Sequence, residues 1–182
     1  KFAFNLKDGT NTITQSQVET GTFDIFSYTD TGVHSSGEDG TFIAPGTNGT
    51  FDLLVENLSE VDITATLALT ETNTNNIPIY YTVGAGTQRY SAKLTGAYTG
   101  DSGGTYKNLS ELATAISGGI GTLQATDGAT PTTGTVTLKW AWAFEQDGTG
   151  QTDADDTTLG IGGTAAVQLD VAVTVTQVDA DA

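Results

Sequence analysis

The sequence predicts an all-β fold, specifically a jelly-roll β-sandwich with one short helix. Apolar and polar residues alternate with a period of two over long segments, which is the pattern of strands with one buried face. Turn dipeptides such as Asp8-Gly9 and Asp147-Gly148 separate these segments. The chain is rich in Thr, 37% hydrophobic and only 15% charged, which is typical of sheets rather than of a disordered acidic chain. Its 182 residues suffice for one domain, expected at 11–182 after a strand and turn at 1–10.

The predicted elements follow from this alternation in chain order. The first is the strand at 1–10, in which Phe2, Phe4 and Leu6 share one face. The longest alternating segments predict half-buried strands at 61–69, 135–144 and 165–178. Shorter strands are expected at 22–28, 49–57, 77–83 and 89–94.

One helix is predicted between the sheets, in the segment KNLSELATAISGG. Asn108 is the expected N-cap, and Glu111 is its reciprocal partner in a capping box. Gly118 is the expected stop. The apolar residues at helical spacing are Leu109, Leu112 and Ile116. We interpret this helix as a plug at the end of the sandwich rather than as a site.

The charge balance restricts the partners. There are 22 acidic residues and 6 Lys and Arg, which gives a net charge of −16 and argues against nucleic acid or an anionic membrane. The chain has no Cys, so disulfides and thiolate metal sites are excluded. No apolar run approaches membrane-spanning length. Because the chain starts at Lys1, we expect a removed signal peptide and an extracellular or cell-surface location. Glycosylation sequons begin at Asn48, Asn57 and Asn108.

Two short motifs resemble protease signatures, but we do not expect an enzyme. Ser102 lies in a Gly-Asp-Ser-Gly-Gly motif, yet the only His is His34, in a polar loop unsuited to a general base. Asp30-Thr31-Gly32 resembles half of an aspartic protease site, and its second triplet is missing. We interpret the first motif as a loop and the second as a turn.

Acidic residues cluster in two predicted loops. Hard cations take six to eight oxygen ligands from carboxylates and carbonyls on flexible loops, so these segments predict a calcium site. A solvated acidic loop that keeps the protein soluble explains the same residues. The candidate ligands are Glu145, Asp147, Asp153, Asp155 and Asp156 in one loop, and Asp30, Glu38 and Asp39 in the other.

Two tryptophans lie two residues apart on one predicted strand. Trp140 and Trp142 could form a flat platform for stacking sugars. Their phase matches the apolar residues Val136, Leu138 and Phe144, which favours burial in the core.

The first strand has two plausible fates. It folds back into its own sandwich, or it completes the sheet of a neighbouring molecule by strand addition. Burying Phe2, Phe4 and Leu6 is worth roughly 5 to 8 kcal/mol before ordering costs. Such a contact is head to tail and does not close on itself, so it generates a polymer. The segment at 8–10 is then the turn at which the strand departs.

Several segments in order resemble one known family. They are NTITQSQVETGTFDI, APGTNGTFDLLVENLSEVDIT, KWAWAFEQDGTGQTDADDTTLG and a Val-rich C-terminal strand. Together they look like the TasA/camelysin-type extracellular matrix proteins, to which subunits of archaeal bundling pili and of the tubules called cannulae are similar. The resemblance implies a jelly-roll subunit over 11–178 that polymerises by donating its N-terminal strand, with Phe2, Phe4 and Leu6 as the donated residues. This chain is more acidic than the bacterial members.

The expected function is therefore a self-assembling subunit of an extracellular filament or tubule, serving as biofilm matrix or as a link between cells. Its partners are further copies of itself, and polysaccharide or other cell-surface matrix. Because subunits that carry −16 repel one another, calcium shared between carboxylates is expected to promote assembly. The main alternative is a monomeric secreted carbohydrate-binding β-sandwich, which would expose Trp140 and Trp142 and keep its first strand. An enzyme that uses Ser102 or His34 is the third.

Overall fold

The computed structural model describes residues 4–8, 11–16, 20–25, 30–31, 45–99, 102–127, 130–143, 153–161 and 167–178. Twelve strands and two helices lie in these ranges. In chain order they are β1 Phe4–Asp8, β2 Asn11–Ser16, β3 Thr20–Asp24, β4 Asp30–Thr31, β5 Asn48–Asn57, β6 Ile63–Asn73, β7 Ile79–Val83, β8 Ala97–Tyr98, β9 Gly104–Thr105, α1 Leu109–Ile120, β10 Thr122–Leu123, β11 Thr132–Trp142, α2 Asp153–Ile161 and β12 Val167–Gln177.

Two antiparallel sheets form an all-β sandwich, as the alternation predicts. The front sheet has the order β2, β1, β5, β11, β7, and β4 also pairs with β5. The back sheet has the order β10, β6, β12, β3. A separate pair, β8 and β9, lies in the connection between β7 and α1. The jelly-roll connectivity stays a prediction.

The core lies between the two sheets and contains the apolar face of each long strand. On β12, Val167, Leu169, Val171, Val173 and Val175 are all buried, which confirms the predicted alternation. On β6 only the first apolar residues are fully buried, whereas Leu67 and Leu69 are partly exposed beside α1. The alternating pattern therefore predicts which face of each strand is buried. How completely that face is covered differs along β6.

The helix α1 has the predicted start and a different end. Asn108 Oδ1 accepts from the Glu111 N–H at 2.9 Å, and the Asn108 N–H donates to Glu111 at 3.0 Å, which is the expected capping box. The helix continues past Gly118 to Ile120 and ends at Gly121, whose φ of 70° lies in the left-handed region. Burial of Ile120 outweighs the roughly 1 kcal/mol that a helical glycine costs.

Three other expectations differ from the structure. The end of the predicted acidic loop, Asp153 to Asp156, forms the first turn of α2, where aspartates interact favourably with the helix dipole. Residues 89–94 do not form a strand, and only Tyr90 makes isolated bridges, to Tyr81 and Lys107. Asp30 and Thr31 are β4, paired with Thr50 and Gly49, and not a turn.

Candidate interface strand and its slot

The candidate interface strand β1 occupies a slot between β2 and β5. Leu6 is opposite Val55 on β5 and Thr14 on β2, so the slot pairs both edges of the strand. Phe4 is 1% exposed and Leu6 is 0% exposed, and both belong to the main core cluster. In the isolated chain these two side chains thus lie in the chain's own interior. Phe2 lies outside the described residues.

The outer face of β1 is fixed to β5 by polar contacts. Asn5 Nδ2 donates to Glu56 Oε2 at 3.0 Å, and Lys7 Nζ donates to Glu56 Oε1 at 2.7 Å. Burial raises the pKa of the Glu56 carboxyl, but the hydrogen bonds from Lys7 and Asn5 and the Lys7 charge outweigh burial and lower the pKa from 4.5. The ionised carboxylate therefore stabilises the contact between β5 and the strand beside it.

This clamp was not predicted from the sequence. Alternation places Asn5 and Lys7 on the polar face of β1, but their partner is about 50 positions away along the chain. The sequence contains one indication that Lys7 forms an ion pair, which is the scarcity of cations: the chain has only six Lys and Arg and 22 acidic residues. A cation on a polar strand face of such a chain has many possible carboxylate partners.

The connection between β1 and β2 is short. Asp8 pairs with Asn11, so only residues 9 and 10 join the two strands in sequence. The register of this pair shifts between Leu6 and Lys7, as at a β-bulge. The pairing of β1 with β5 runs without a shift from Phe4 to Asp8. The pairing of β1 is therefore regular along β5 and irregular along β2.

The candidate calcium ligands are only partly described. Glu38, Asp39, Glu145 and Asp147 lie outside the described residues. Asp30 begins β4 and Asp153 begins α2. Within the part of the chain that the structure describes, no group of three or more acidic or His side chains is arranged to hold a metal ion.

The two remaining acidic candidates in α2 have different surroundings. Asp155 is exposed, whereas Asp156 is 1% exposed and accepts a hydrogen bond from Trp142 Nε1 at 2.9 Å. Asp156 therefore anchors α2 to the front sheet.

Both tryptophans are buried. Trp140 is 1% and Trp142 is 2% exposed, which confirms the core interpretation. The sugar platform is wrong because neither indole ring reaches solvent. The carbohydrate-binding alternative loses these two residues as its binding surface, although β1 lies in its own chain as that alternative also expects.

The three sequons lie in different environments. Asn48 is exposed at the start of β5, and Asn108 is exposed at the N-cap of α1. Asn57 is 0% exposed, and its Nδ2 donates to the carbonyls of Val61, Leu123 and Gln124 at 2.9, 3.2 and 2.9 Å. The proposed glycosylation at Asn57 is wrong for the folded protein, because the amide is buried and its protons are used.

Ser102 lies in the connection between β8 and β9. Its Oγ donates to Thr87 Oγ1 at 3.0 Å on the surface. His34 lies outside the described residues.

Comparison with known proteins adds no relative. No family model, curated protein or solved structure matches the chain. Neither helix in the described ranges is long and apolar enough to cross a membrane.

Proposed function

We propose that the protein is a self-assembling structural subunit of an extracellular filament or tubule, and that it polymerises by exchanging β1 between neighbouring molecules. The observation that carries the proposal is the slot between β2 and β5. The slot holds a strand of five residues. Phe4 and Leu6 on the inner face of this strand are buried in the core, and Asn5 and Lys7 on its outer face are bound by Glu56. A neighbour's β1 makes the same contacts in this slot, because it has the same sequence.

Exchange requires the connection at residues 9 and 10 to extend. When a short connection opens, an identical element from a second copy can replace the first, which is the mechanism of domain swapping. Each subunit then gives β1 to the next one and receives β1 from the previous one. Because donor and acceptor are different surfaces, successive transfer of β1 is head to tail. It builds an open polymer when the rotation between neighbouring subunits does not close, which is the arrangement we propose, whereas reciprocal exchange between two molecules gives a closed dimer.

The energy of the slot predicts slow assembly. Withdrawing Phe4 and Leu6 from the core costs about 3–6 kcal/mol in apolar burial. At 1.4 kcal/mol for each factor of ten, this term alone limits the open form to at most roughly 1 molecule in 10² to 10⁴, and loss of the Glu56 contacts and of the strand pairing lowers the fraction further. We therefore expect exchange to be limited by opening of β1 and to be accelerated by conditions that loosen it.

The test uses cysteine pairs across the slot, and the chain has no Cys of its own to interfere. Lys7 and Leu54 are directly opposite each other in the pairing of β1 with β5. One variant carries Lys7→Cys and a second carries Leu54→Cys. The two are mixed under conditions that promote assembly, oxidised and separated on a non-reducing gel.

Exchange predicts a disulfide-linked heterodimer, because the new thiol on β1 of one molecule then lies beside the new thiol on β5 of another. The matched control replaces Leu54→Cys by Asp52→Cys, an exposed position on the same strand and the same outer face. A variant that carries both Lys7→Cys and Leu54→Cys is expected to give a ladder of covalent oligomers from the polymer. If the double variant gives only internally linked monomer and the mixed variants give no heterodimer, β1 stays in its own chain and the proposal fails. If the double variant stops at a covalent dimer, exchange closes on itself and the polymer is refuted.

A further inference from the structure

A polar cleft of about 330 Å³ lies on the outer face of the front sheet. Its floor consists of two cross-strand rows of residues from β7, β11 and β5. The rows are Thr82, Lys139 and Thr50, and Tyr80, Ala141 and Asn48. Since Ala141 is small and lies between two larger residues, the second row has a depression at its centre.

One wall of the cleft is held by a buried arginine. Arg89 is 5% exposed, and its guanidinium carbon lies 4.2 Å from the ring centre of Tyr80 and 4.9 Å from that of Tyr98. Cation–π contacts of this kind are strengthened when they are shielded from water. The ring of Tyr98 packs in turn on Tyr106, with the ring centres 4.9 Å apart. The segment between β7 and α1 is thereby fixed against the sheet.

The rim of the cleft is also fixed. The Thr87 carbonyl accepts from the Tyr98 hydroxyl at 3.1 Å, and Thr87 Oγ1 accepts from Ser102 Oγ at 3.0 Å. The Gly86 N–H donates to the Val83 carbonyl at 2.9 Å in the preceding turn. The cleft therefore exists before a ligand arrives, which lowers the entropic cost of binding.

The cleft contains a positive charge, although the whole chain is acidic. Among the described residues that line it, Lys139 is the one charged residue, and it is exposed. Two acidic residues lie at neighbouring register positions. Asp30 on β4 is opposite Thr50 and continues the row of Lys139. Asp52, the next outward residue on β5, accepts a hydrogen bond from Thr137 at 2.5 Å. No described carboxylate is paired with Lys139. A lysine in this setting is available to an anion in a protein that otherwise carries −16.

We propose that this cleft binds a uronic-acid unit of an acidic polysaccharide. Lys139 supplies the ammonium for the sugar carboxylate, which is a charge-assisted hydrogen bond. The hydroxyls of Thr82 and Thr87 and the amide of Asn48 line the cleft and supply hydrogen-bonding groups for the ring hydroxyls that a sugar presents. The volume lies at the lower end of the range for small-ligand sites, so it accommodates one or two sugar rings.

An acidic peptide is a poorer fit for the same cleft. Extended peptides bind to sheets by adding to a free edge. At the cleft, β11 is paired with β5 on one side and with β7 on the other, and β5 is also paired on both sides. The cleft offers a peptide side-chain contacts without backbone pairing.

The test is calorimetric titration of the full chain with trigalacturonic acid. The protein is made in a host without N-glycosylation, so that Asn48 carries no glycan. Lys139→Gln is expected to weaken binding at least tenfold, because it removes a charge-assisted hydrogen bond. Lys93→Gln is the matched control, since Lys93 is an exposed lysine in the connection between β7 and α1 that does not line the cleft. Methyl-esterified trigalacturonate, which lacks the charge, is expected to bind as weakly as the acid binds to Lys139→Gln.

A second variant fills the cleft without changing its charge. Ala141→Leu is expected to abolish binding while its thermal melt stays cooperative. Absence of binding to the unaltered chain, equal binding by Lys139→Gln, or equal binding of the ester overturns the proposal. An aspartate hexapeptide that binds as tightly, with the same dependence on Lys139, assigns the cleft to an acidic protein instead. The polymer yield of Lys139→Gln should be unchanged, so this test is independent of strand exchange.

Discussion

Replacement of Glu56 by Gln tests the clamp that holds β1. The carboxylate of Glu56 accepts one bond from Asn5 and one from Lys7, and the side chains of the Lys7–Glu56 ion pair are 21% and 13% exposed. Exposed ion pairs contribute at most about 1 kcal/mol, and buried charged hydrogen bonds about 1.5–3 kcal/mol. Because this pair is partly shielded, we expect Glu56→Gln to lower the free energy of unfolding by about 1 kcal/mol at pH 7. This corresponds to a fall of roughly 2–4 °C in the melting temperature.

The difference in stability between the unaltered chain and Glu56→Gln should depend on pH. The pKa of Glu56 is lowered on folding from 4.5, so its ionised form stabilises the folded state. That contribution is complete above pH 4.5 and is lost as the pH falls through the folded pKa. The melting temperatures of the unaltered chain and of Glu56→Gln should therefore differ at pH 7 and converge in acid.

The assay is thermal unfolding followed by circular dichroism from pH 7 to acid. Glu60→Gln is the control because Glu60 is an exposed glutamate close in sequence. A difference for Glu56→Gln that does not change with pH, or an equal loss in Glu60→Gln, would refute the clamp. Lys7→Gln should lose about as much stability as Glu56→Gln, and the double variant should lose much less than the sum.

Three further predictions use other parts of the molecule. Asn57→Ala leaves buried carbonyls without their donor and should cost about 3 kcal/mol or more in chemical denaturation; Asn48→Ala, on the surface, should cost little. Gly118→Ala should stabilise by about 0.5–1 kcal/mol because a Cβ there meets nothing within 4 Å, whereas Gly134→Ala should destabilise because its Cβ would lie 2.8 Å from the Ile120 carbonyl oxygen. Calcium should raise the sedimenting polymer over a chelator control, and equal yields would contradict the role of cations.

Local patterns predicted the parts of this fold that are determined locally. The period-two alternation identified the buried face of β12, and the capping residues identified the start of α1 at Asn108. The end of α1 could not be predicted in the same way. It depends on Ile120 reaching the core and on Gly119, where a Cβ would lie 2.7 Å from Val136 Cγ2. Both are contacts with another element.

The candidate sites depend even more on distant pairings. Asn57 begins a glycosylation sequon in the sequence. In the folded chain its amide is buried and donates to the carbonyls of Leu123 and Gln124, which are distant in sequence. From the sequence, Lys139 is simply a lysine on the polar face of an alternating strand. Its position in a cleft appears only when β7, β11 and β5 are aligned in register. Such roles are set by strand order, which the sequence pattern does not contain.

The proposed exchange separates the rate of assembly from its yield. Phe4, Leu6 and the contacts of Glu56 are the same whether β1 comes from the same chain or from a neighbour, so their energy cancels between monomer and polymer. They determine how often β1 leaves its slot, and hence the rate. The yield then depends on contacts outside the slot and on repulsion between subunits of charge −16, which salt and divalent cations reduce. Changes within the slot, such as Glu56→Gln, should accelerate assembly with little effect on its extent, whereas calcium should alter the extent.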